Sequence, residues 1–372
     1  MSHQSERTEL FPERVPGRRR SLAPRPDGLL LHRAVSLIAA VLMLTTSALI
    51  LSGAKAEAST QKAHAPTWTQ ASPTSSPSGR VEAMMAYDTA SGQLILFGGC
   101  ISQPDGSCTF LGDTWSWTGS NWQQLQPALS PPPRSDGSLV YDPKMHALLL
   151  FGGYNGSSMA DTWSWNGVAW SLLAPIVSPT ARWDAMMGWD ASTKQMILFD
   201  GCHSESGACW AEGCLSDTWS WLGTTWVQLA TAHVPQCRYS GELSYDPSSR
   251  QLLLFGGWTT YFIGDTWFWT GTDWSQTTPT ASPSVRARAG LAYDPKYHQL
   301  LLFGGFFEYS DPVWSSQTWA WNGTTWTMQV PASSPPPRSD AEMGWDGATH
   351  QMVLFGGDTP QSVNSNDTWI YG

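Results

Sequence analysis

The stretch Gln251-Leu252-Leu253-Leu254-Phe255-Gly256-Gly257 decides the fold, because the chain repeats it, or a close variant, six times in one frame. The Phe of each copy is Phe97, Phe151, Phe199, Phe255, Phe303 and Phe355. Ten residues before each Phe stands an aromatic residue followed by Asp: Tyr87, Tyr141, Trp189, Tyr245, Tyr293 and Trp345. Seven residues earlier again stands an Arg: Arg80, Arg134, Arg182, Arg238, Arg286 and Arg338. Beyond the glycines comes Asp-Thr-Trp or a near relative, ending at Trp115, Trp163, Trp219, Trp267, Trp319 and Trp369. In five copies another Trp follows seven residues later. A fixed period of this kind identifies a repeat architecture before any single residue is weighed.

Each unit reads as four short strands. The first ends in the aromatic–Asp pair. The second is an apolar run buried on both faces. The third alternates polar and aromatic residues, and the fourth carries the last Trp. Asp142-Pro143-Lys144 and Asp294-Pro295-Lys296 supply turns between the first two strands. Asn166-Gly167 and Asn322-Gly323 suit tight hairpins between the last two. Four-stranded antiparallel blades around an axis follow. From each fourth-strand Trp to the next repeat Arg is twelve residues in all five links. The sixth unit ends at Gly372 without a fourth strand, but Trp68 lies twelve residues before Arg80. An amino-terminal strand is therefore expected to complete the last blade and close the ring, leaving no open edge there.

With Leu254-Phe255-Gly256-Gly257, Asp265-Thr266-Trp267 and Trp274 in register, the chain resembles the kelch-repeat family over residues 66–372. The resemblance implies an all-β, six-bladed kelch-type β-propeller. It implies little about activity, because kelch rings host enzymes, adaptors and glycan binders alike.

Ahead of the propeller we read a basic segment, 1–33, an uncharged apolar segment, 34–54, and a linker, 55–65. Helical at ~1.5 Å per residue, the apolar segment is long enough to cross a bilayer. The preceding arginines would keep the amino terminus inside and the propeller outside. It is expected to be a membrane anchor, or a signal sequence cleaved near Ala56. Residues 1–56 hold 8 basic and 4 acidic side chains, leaving 12 and 26 beyond them, a net −14. Such a surface repels phosphates, and nucleic acid is not expected as a partner.

Six cysteines suit an oxidising compartment. Pairs Cys100–Cys108 and Cys202–Cys209 are expected within loops, and Cys214–Cys237 between two loops. Zinc on Cys202, His203, Cys209 and Cys214 is the competing reading. The compartment favours disulfides, and neither metal nor cofactor is expected.

The 2–3 loops and blade-to-blade links share one face, the top. The links are constant in length; from Phe to the third-strand Trp the spans are 18, 12, 20, 12, 16 and 14 residues. Variable loops on a rigid scaffold concentrate function. Trp183, Trp210, Trp258 and Trp314 lie off the repeat frame on that face, together with Tyr154, Tyr239, Tyr261, Phe307 and Tyr309. Such aromatics suit sugar rings or a partner protein; loops that bury their own aromatics are the plainer alternative. Two residues after each repeat Arg stand Glu82, Asp136, Asp184, Ser240, Arg288 and Asp340. A ring of salt bridges between these acids and the repeat Arg is expected. Glu242 and Glu342, two residues further on, are expected to offer a polar ligand contact or an acid/base group.

The expected function is an extracytoplasmic, monomeric propeller that binds a glycan or protein ligand through its top face. The alternative is a carbohydrate-active enzyme (an epimerase, lyase or oxidase-like protein) with an axial site. A structural spacer is a third reading.

Overall fold

The computed structural model describes residues 65–204, 209, 213–307, 313–361 and 364–372. The basic segment, the apolar segment 34–54, Trp210 and Tyr309 lie outside the described residues. Among the described residues no helix is long and apolar enough to cross a membrane.

Six four-stranded antiparallel sheets follow the six repeats. In blade 4 the strands are Glu242–Asp246, Gln251–Phe255, Thr266–Trp269 and Trp274–Thr277, in that order across the sheet. The first strands of successive blades pack against one another around the axis. The apolar run forms the second strand, with Leu252 to Phe255 buried, because a neighbouring blade covers each of its faces. The Asp that closes each first strand folds the following turn. Asp246 Oδ1, for example, accepts the Ser248 N–H at 2.9 Å.

The core is a set of interfaces between consecutive blades. Met84, Ile95 and Phe97 of blade 1 meet Leu139, Leu148, Leu150 and Trp163 of blade 2. One contact recurs at every interface. The fourth-strand Trp packs on the repeat Phe of the preceding blade and donates its indole N–H to that blade's third-strand Thr. Trp170 lies 5.0 Å from Phe97 between ring centroids, and its Nε1 is 3.0 Å from Thr114 Oγ1. Trp226, Trp274, Trp326 and Trp122 repeat the arrangement with Thr162, Thr218, Thr266 and Thr368.

Closure follows the sequence expectation. Trp68–Gln70 pairs antiparallel with Thr368–Tyr371, placing Trp68 opposite Tyr371. Trp68 packs on Phe303 at 5.1 Å and donates to Thr318 Oγ1 at 3.0 Å. It thus occupies the socket that the other five tryptophans occupy in their blades.

The disulfides are Cys100–Cys108, Cys202–Cys209 and Cys214–Cys237, as the loop spacings predict. No cysteine is free for the competing zinc set, and His203 instead sets Nδ1 2.7 Å from the Ala181 carbonyl. Three disulfides are the mark of a protein that matures in an oxidising environment.

Trp68→Ala empties a filled, 1 % exposed socket. It should cost about 3–5 kcal/mol, read as a large fall in the thermal or denaturant midpoint. A midpoint equal to the parent's would mean that the ring does not depend on this closure.

Candidate functional site

The repeat Arg are framework residues, and their partners differ from the sequence expectation. Arg134 donates from Nη1 and Nη2 to Asp161 Oδ1 and Oδ2 at 2.6 and 2.8 Å, and from Nη1 to the Gly152 carbonyl at 2.9 Å. Trp163 Nε1 donates to the same Asp161 at 2.7 Å. Arg80, Arg182, Arg238 and Arg338 bind Asp113, Asp217, Asp265 and Asp367 in the same way. The Asp of Asp-Thr-Trp therefore takes the guanidinium, and the acid two residues after the Arg does not. Blade 5 has Gln317 at the Asp position. It accepts from Arg286 Nη2 at 2.8 Å and Trp319 Nε1 at 3.0 Å. Without a carboxylate opposite, burial pushes the Arg286 guanidinium down to about 10.

Freed from the Arg, the residues at the +2 position encircle the axis. Glu82, Asp136, Asp184, Ser240, Arg288 and Asp340 all have left-handed backbones, with φ between 52° and 57°. This conformation is uncommon outside glycine. It turns their peptide groups around the ring. The Asp184 N–H donates to the Asp136 carbonyl at 2.8 Å, Asp136 to Glu82 at 3.1 Å, and Asp340 to Arg288 at 3.1 Å.

The ring's side chains form one polar network. Arg288 binds Glu82 and Asp340 and lies 3.6 Å from Asp184. Ser240 donates to Asp184, Ser135 to Asp136 and Ser339 to Asp340, each at 2.5 Å. Glu242 and Glu342 begin the inner strands of blades 4 and 6. They line an axial cavity of about 210 Å³ together with the ring, Met85 and Met343.

The carboxylates here outnumber the cations. Burial, with Glu82 and Asp184 nearby, pushes Asp136 well above the ordinary carboxylate range. Burial and the Glu342 carboxylate do the same to Glu242. Burial, then Asp340 and Asp184, pushes Glu342 up to about 8. Glu82 differs: burial raises it, but Arg288, with hydrogen bonds from Asp136 and Ser135, outweighs burial and holds it below its ordinary value.

A second cavity, of about 160 Å³, adjoins the first at Glu82, Asp136 and Arg288. Its other walls are Cys108, Phe110, Ser135, Tyr154 and Trp183. It belongs to a run of aromatic rings that crosses the top of several blades. Centroid distances are 5.8 Å from Phe110 to Tyr154, 5.9 Å on to Trp183, 5.6 Å to Tyr239 and 5.2 Å to Trp258. Trp258 stacks on Phe262, which meets Phe306 at 5.1 Å.

Of the residues singled out in the sequence, Glu242 and Glu342 meet at the axial cavity. Trp183 and Tyr239 are buried in the aromatic run, 7 % and 3 % exposed, and Trp258 is half-buried there. Phe307 and Trp314 are half-buried in blade 5, away from the second cavity's lining, and Tyr261 is exposed, its hydroxyl donating to Gln236 at 2.5 Å. Sequence reasoning missed Phe110, although its place two residues after Cys108 in a disulfide loop marks it as anchored. It also missed Asp200, which takes the first-glycine position of blade 3. Asp200 is fully buried and accepts the N–H groups of Arg238, Leu215 and Ser216; this is a framework role.

No family model and no curated protein matches the chain. Among solved structures it is similar to the structure of YjhT, with 12 % identity and a TM-score of 0.60 over 80 % of this chain and 95 % of that one. At that identity the likeness shows the propeller fold alone.

Two outcomes test this electrostatic account. Gln317→Asp should stabilise the ring by about 1 kcal/mol, the scale of one hydrogen bond upgraded to a charged one; no gain would show that the neutral Gln317 serves the clamp as well as a carboxylate does. Glu342 binds a proton in the folded chain that the unfolded chain releases between its ordinary value near 4.5 and about 8. Its contribution is therefore present below that window and is lost as pH rises through it. Glu342→Gln should melt above the parent near pH ~9 and close to it near pH ~4.5. An equal offset at both would contradict the buried proton.

Proposed function

We propose that this protein is an extracytoplasmic kelch-type propeller that binds a glycan or protein ligand through its top face, the ligand reaching toward the axis. One observation carries the reading: an aromatic-walled cavity and an axial polar cavity adjoin and share Glu82, Asp136 and Arg288. Apolar walls with a few convergent polar groups are the usual composition of a ligand site. The disulfides support a location outside the cytoplasm, and the positively charged start followed by residues 34–54 supports a membrane tether or a secreted form.

A specific feature favours a second reading. A carboxyl group raised to about 8, as at Glu342, holds its proton at neutral pH inside a cavity. That is the state a general acid requires. Glu342 and Glu242 would then serve a carbohydrate-active enzyme, as proton donor and partner. Turnover on a panel of sugars, abolished by Glu342→Gln, would favour this reading over simple binding.

The binding reading is tested by screening the full chain against arrayed glycans and by affinity capture with candidate protein ligands. Phe110→Ala should weaken whatever binds several-fold, while stability changes by only about 1 kcal/mol, because Phe110 lies half-exposed at the edge of a loop hairpin. Binding unchanged by Phe110→Ala would remove the second cavity from the site.

A further inference from the structure

The face opposite the axial cavity, where the 1–2 and 3–4 turns lie, carries side chains that break the repeat. The 3–4 turn opens with Thr118, Asn166, Thr270 or Asn322 in four blades, each hydrogen-bonding within the turn through its side chain. Blade 3 has Leu222 there, 54 % exposed. Two residues further on, blade 2 has Val168, 78 % exposed, where the other turns have Ser120, Thr224, Thr272 and Thr324. The link into blade 3 dips to this face, its Val177 carbonyl accepting the Trp226 N–H at 3.1 Å, and leaves Ile176 94 % exposed. The other links have Thr or Ala at that position. A single exposed apolar residue is ordinary. Three on one face of two neighbouring blades, each in place of a polar or small residue, mark a contact surface.

Charge is sorted to the same face. Among the described residues the exposed Lys and Arg are Lys144, Lys194, Arg250 and Lys296, and all four lie in 1–2 turns. Lys144 and Lys194 belong to the two blades with the apolar tips, and Arg250 to the next blade. The Asp residues of those turns, Asp142, Asp190 and Asp246, are buried and accept turn N–H groups. They offset part of the positive charge, so the cations alone make a weak electrostatic surface and the tips must share in any contact. The surplus carboxylates stand at the other end of the first strands, around the axial cavity. The chain also enters the ring on this face. Trp68 pairs with Tyr371, at the end of a third strand that comes down from the top loops. Ten residues, 55–64, separate the apolar segment 34–54 from Ala65. Fully extended, they reach at most about 35 Å.

We infer that this bottom face docks on a bilayer containing anionic lipids, so that the propeller lies on the membrane with its top face turned outward. Val168, Ile176 and Leu222 enter the interface between headgroups, and Lys144, Lys194 and Arg250 meet lipid phosphates. The inference rests on the membrane-tether reading above and deepens it: a tether alone limits distance, whereas this face sets orientation. The short reach raises the effective concentration of the face at the bilayer, so weak contacts suffice. A second copy of the chain on the same tips is the competing occupant.

The test uses the full chain in vesicles of phosphatidylcholine and phosphatidylglycerol. Val168→Cys, Ile176→Cys, Leu222→Cys and, on the top face, Tyr261→Cys each carry one polarity-sensitive dye, with nitroxide lipids as quenchers. The three bottom dyes should be blue-shifted and quenched, and the dye on Tyr261→Cys neither. Read from the Ile176→Cys dye, Lys194→Gln should lower the ratio of docked to undocked chain about fivefold, the scale of one lysine at an anionic surface. Added salt should act in the same direction. If the chain partitions into vesicles but no bottom dye is quenched, the tether stands and the docking inference falls. If the chain stays in solution, the tether reading fails and docking with it. If the bottom dyes shift without lipid quenching, a second copy covers the tips, and the bilayer assignment is overturned. Quenching that neither Lys194→Gln nor salt changes overturns the role given to the cations.

Discussion

The ring is held by one contact made six times: an indole on the outer strand of each blade, seated on the preceding blade's Phe and bonded to its Thr. The contact combines apolar burial with a satisfied buried donor. The Trp buries a large apolar surface, and its polar nitrogen finds an acceptor in the same step. Because it always reaches backward to the preceding blade, each blade depends on its neighbour. The last blade can complete the series only by borrowing Trp68 from the amino-terminal end of the ring. Closure is thus the same interaction made between distant parts of the sequence, and it needs no separate device.

A second clamp works inside each blade. The repeat Arg binds both the Asp two residues before the third-strand Trp (Gln317 in blade 5) and the carbonyl of the first glycine position, so it ties the entry of the inner strand to the loop beyond the second strand. That carbonyl comes from Gly152 in blade 2 and from Asp200 in blade 3. A Cβ at Gly152 would come within 2.5 Å of the Arg182 carbonyl of the next blade, with φ at +68°, which explains why the position favours glycine. Asp200 is tolerated because its carboxylate accepts the Arg238 N–H that a loop carbonyl accepts in the other blades. With the Arg committed to the framework, the left-handed +2 residues are left to face the axis. The charged groups of the clamp are matched within each blade, and the excess negative charge collects at the axial cavity.

The blade count, the strand order and the closing strand were legible in the sequence because they depend on spacing, which the chain writes out six times. The disulfide pairs were legible for the same reason, each lying in a short or adjoining loop. The partner of the repeat Arg was not. Asp136 is two residues from Arg134 and Asp161 is twenty-seven away, so proximity in sequence favoured the wrong acid. What decides the matter is the positive φ at Asp136, and no residue type common to all six blades signals it. Glu242 and Glu342 were legible as departures from a small or apolar position. The burial of Trp183 and Tyr239 was not, because it comes from ring contacts between blades that no local pattern records. Gln317 and Asp200 were visible as breaks in the repeat, and their meaning came only with their partners.

The central claim is that Trp68 closes the ring by the same contact that the outer-strand tryptophans make within the other blades. Denaturant midpoints of Trp68→Phe and Trp170→Phe test this most directly, because each keeps an apolar ring and removes the indole donor to a buried threonine. Both variants should lose stability by similar amounts, about 1–3 kcal/mol, the scale of a buried hydrogen bond left unmade. A parental midpoint for Trp68→Phe beside a lowered one for Trp170→Phe would contradict the account.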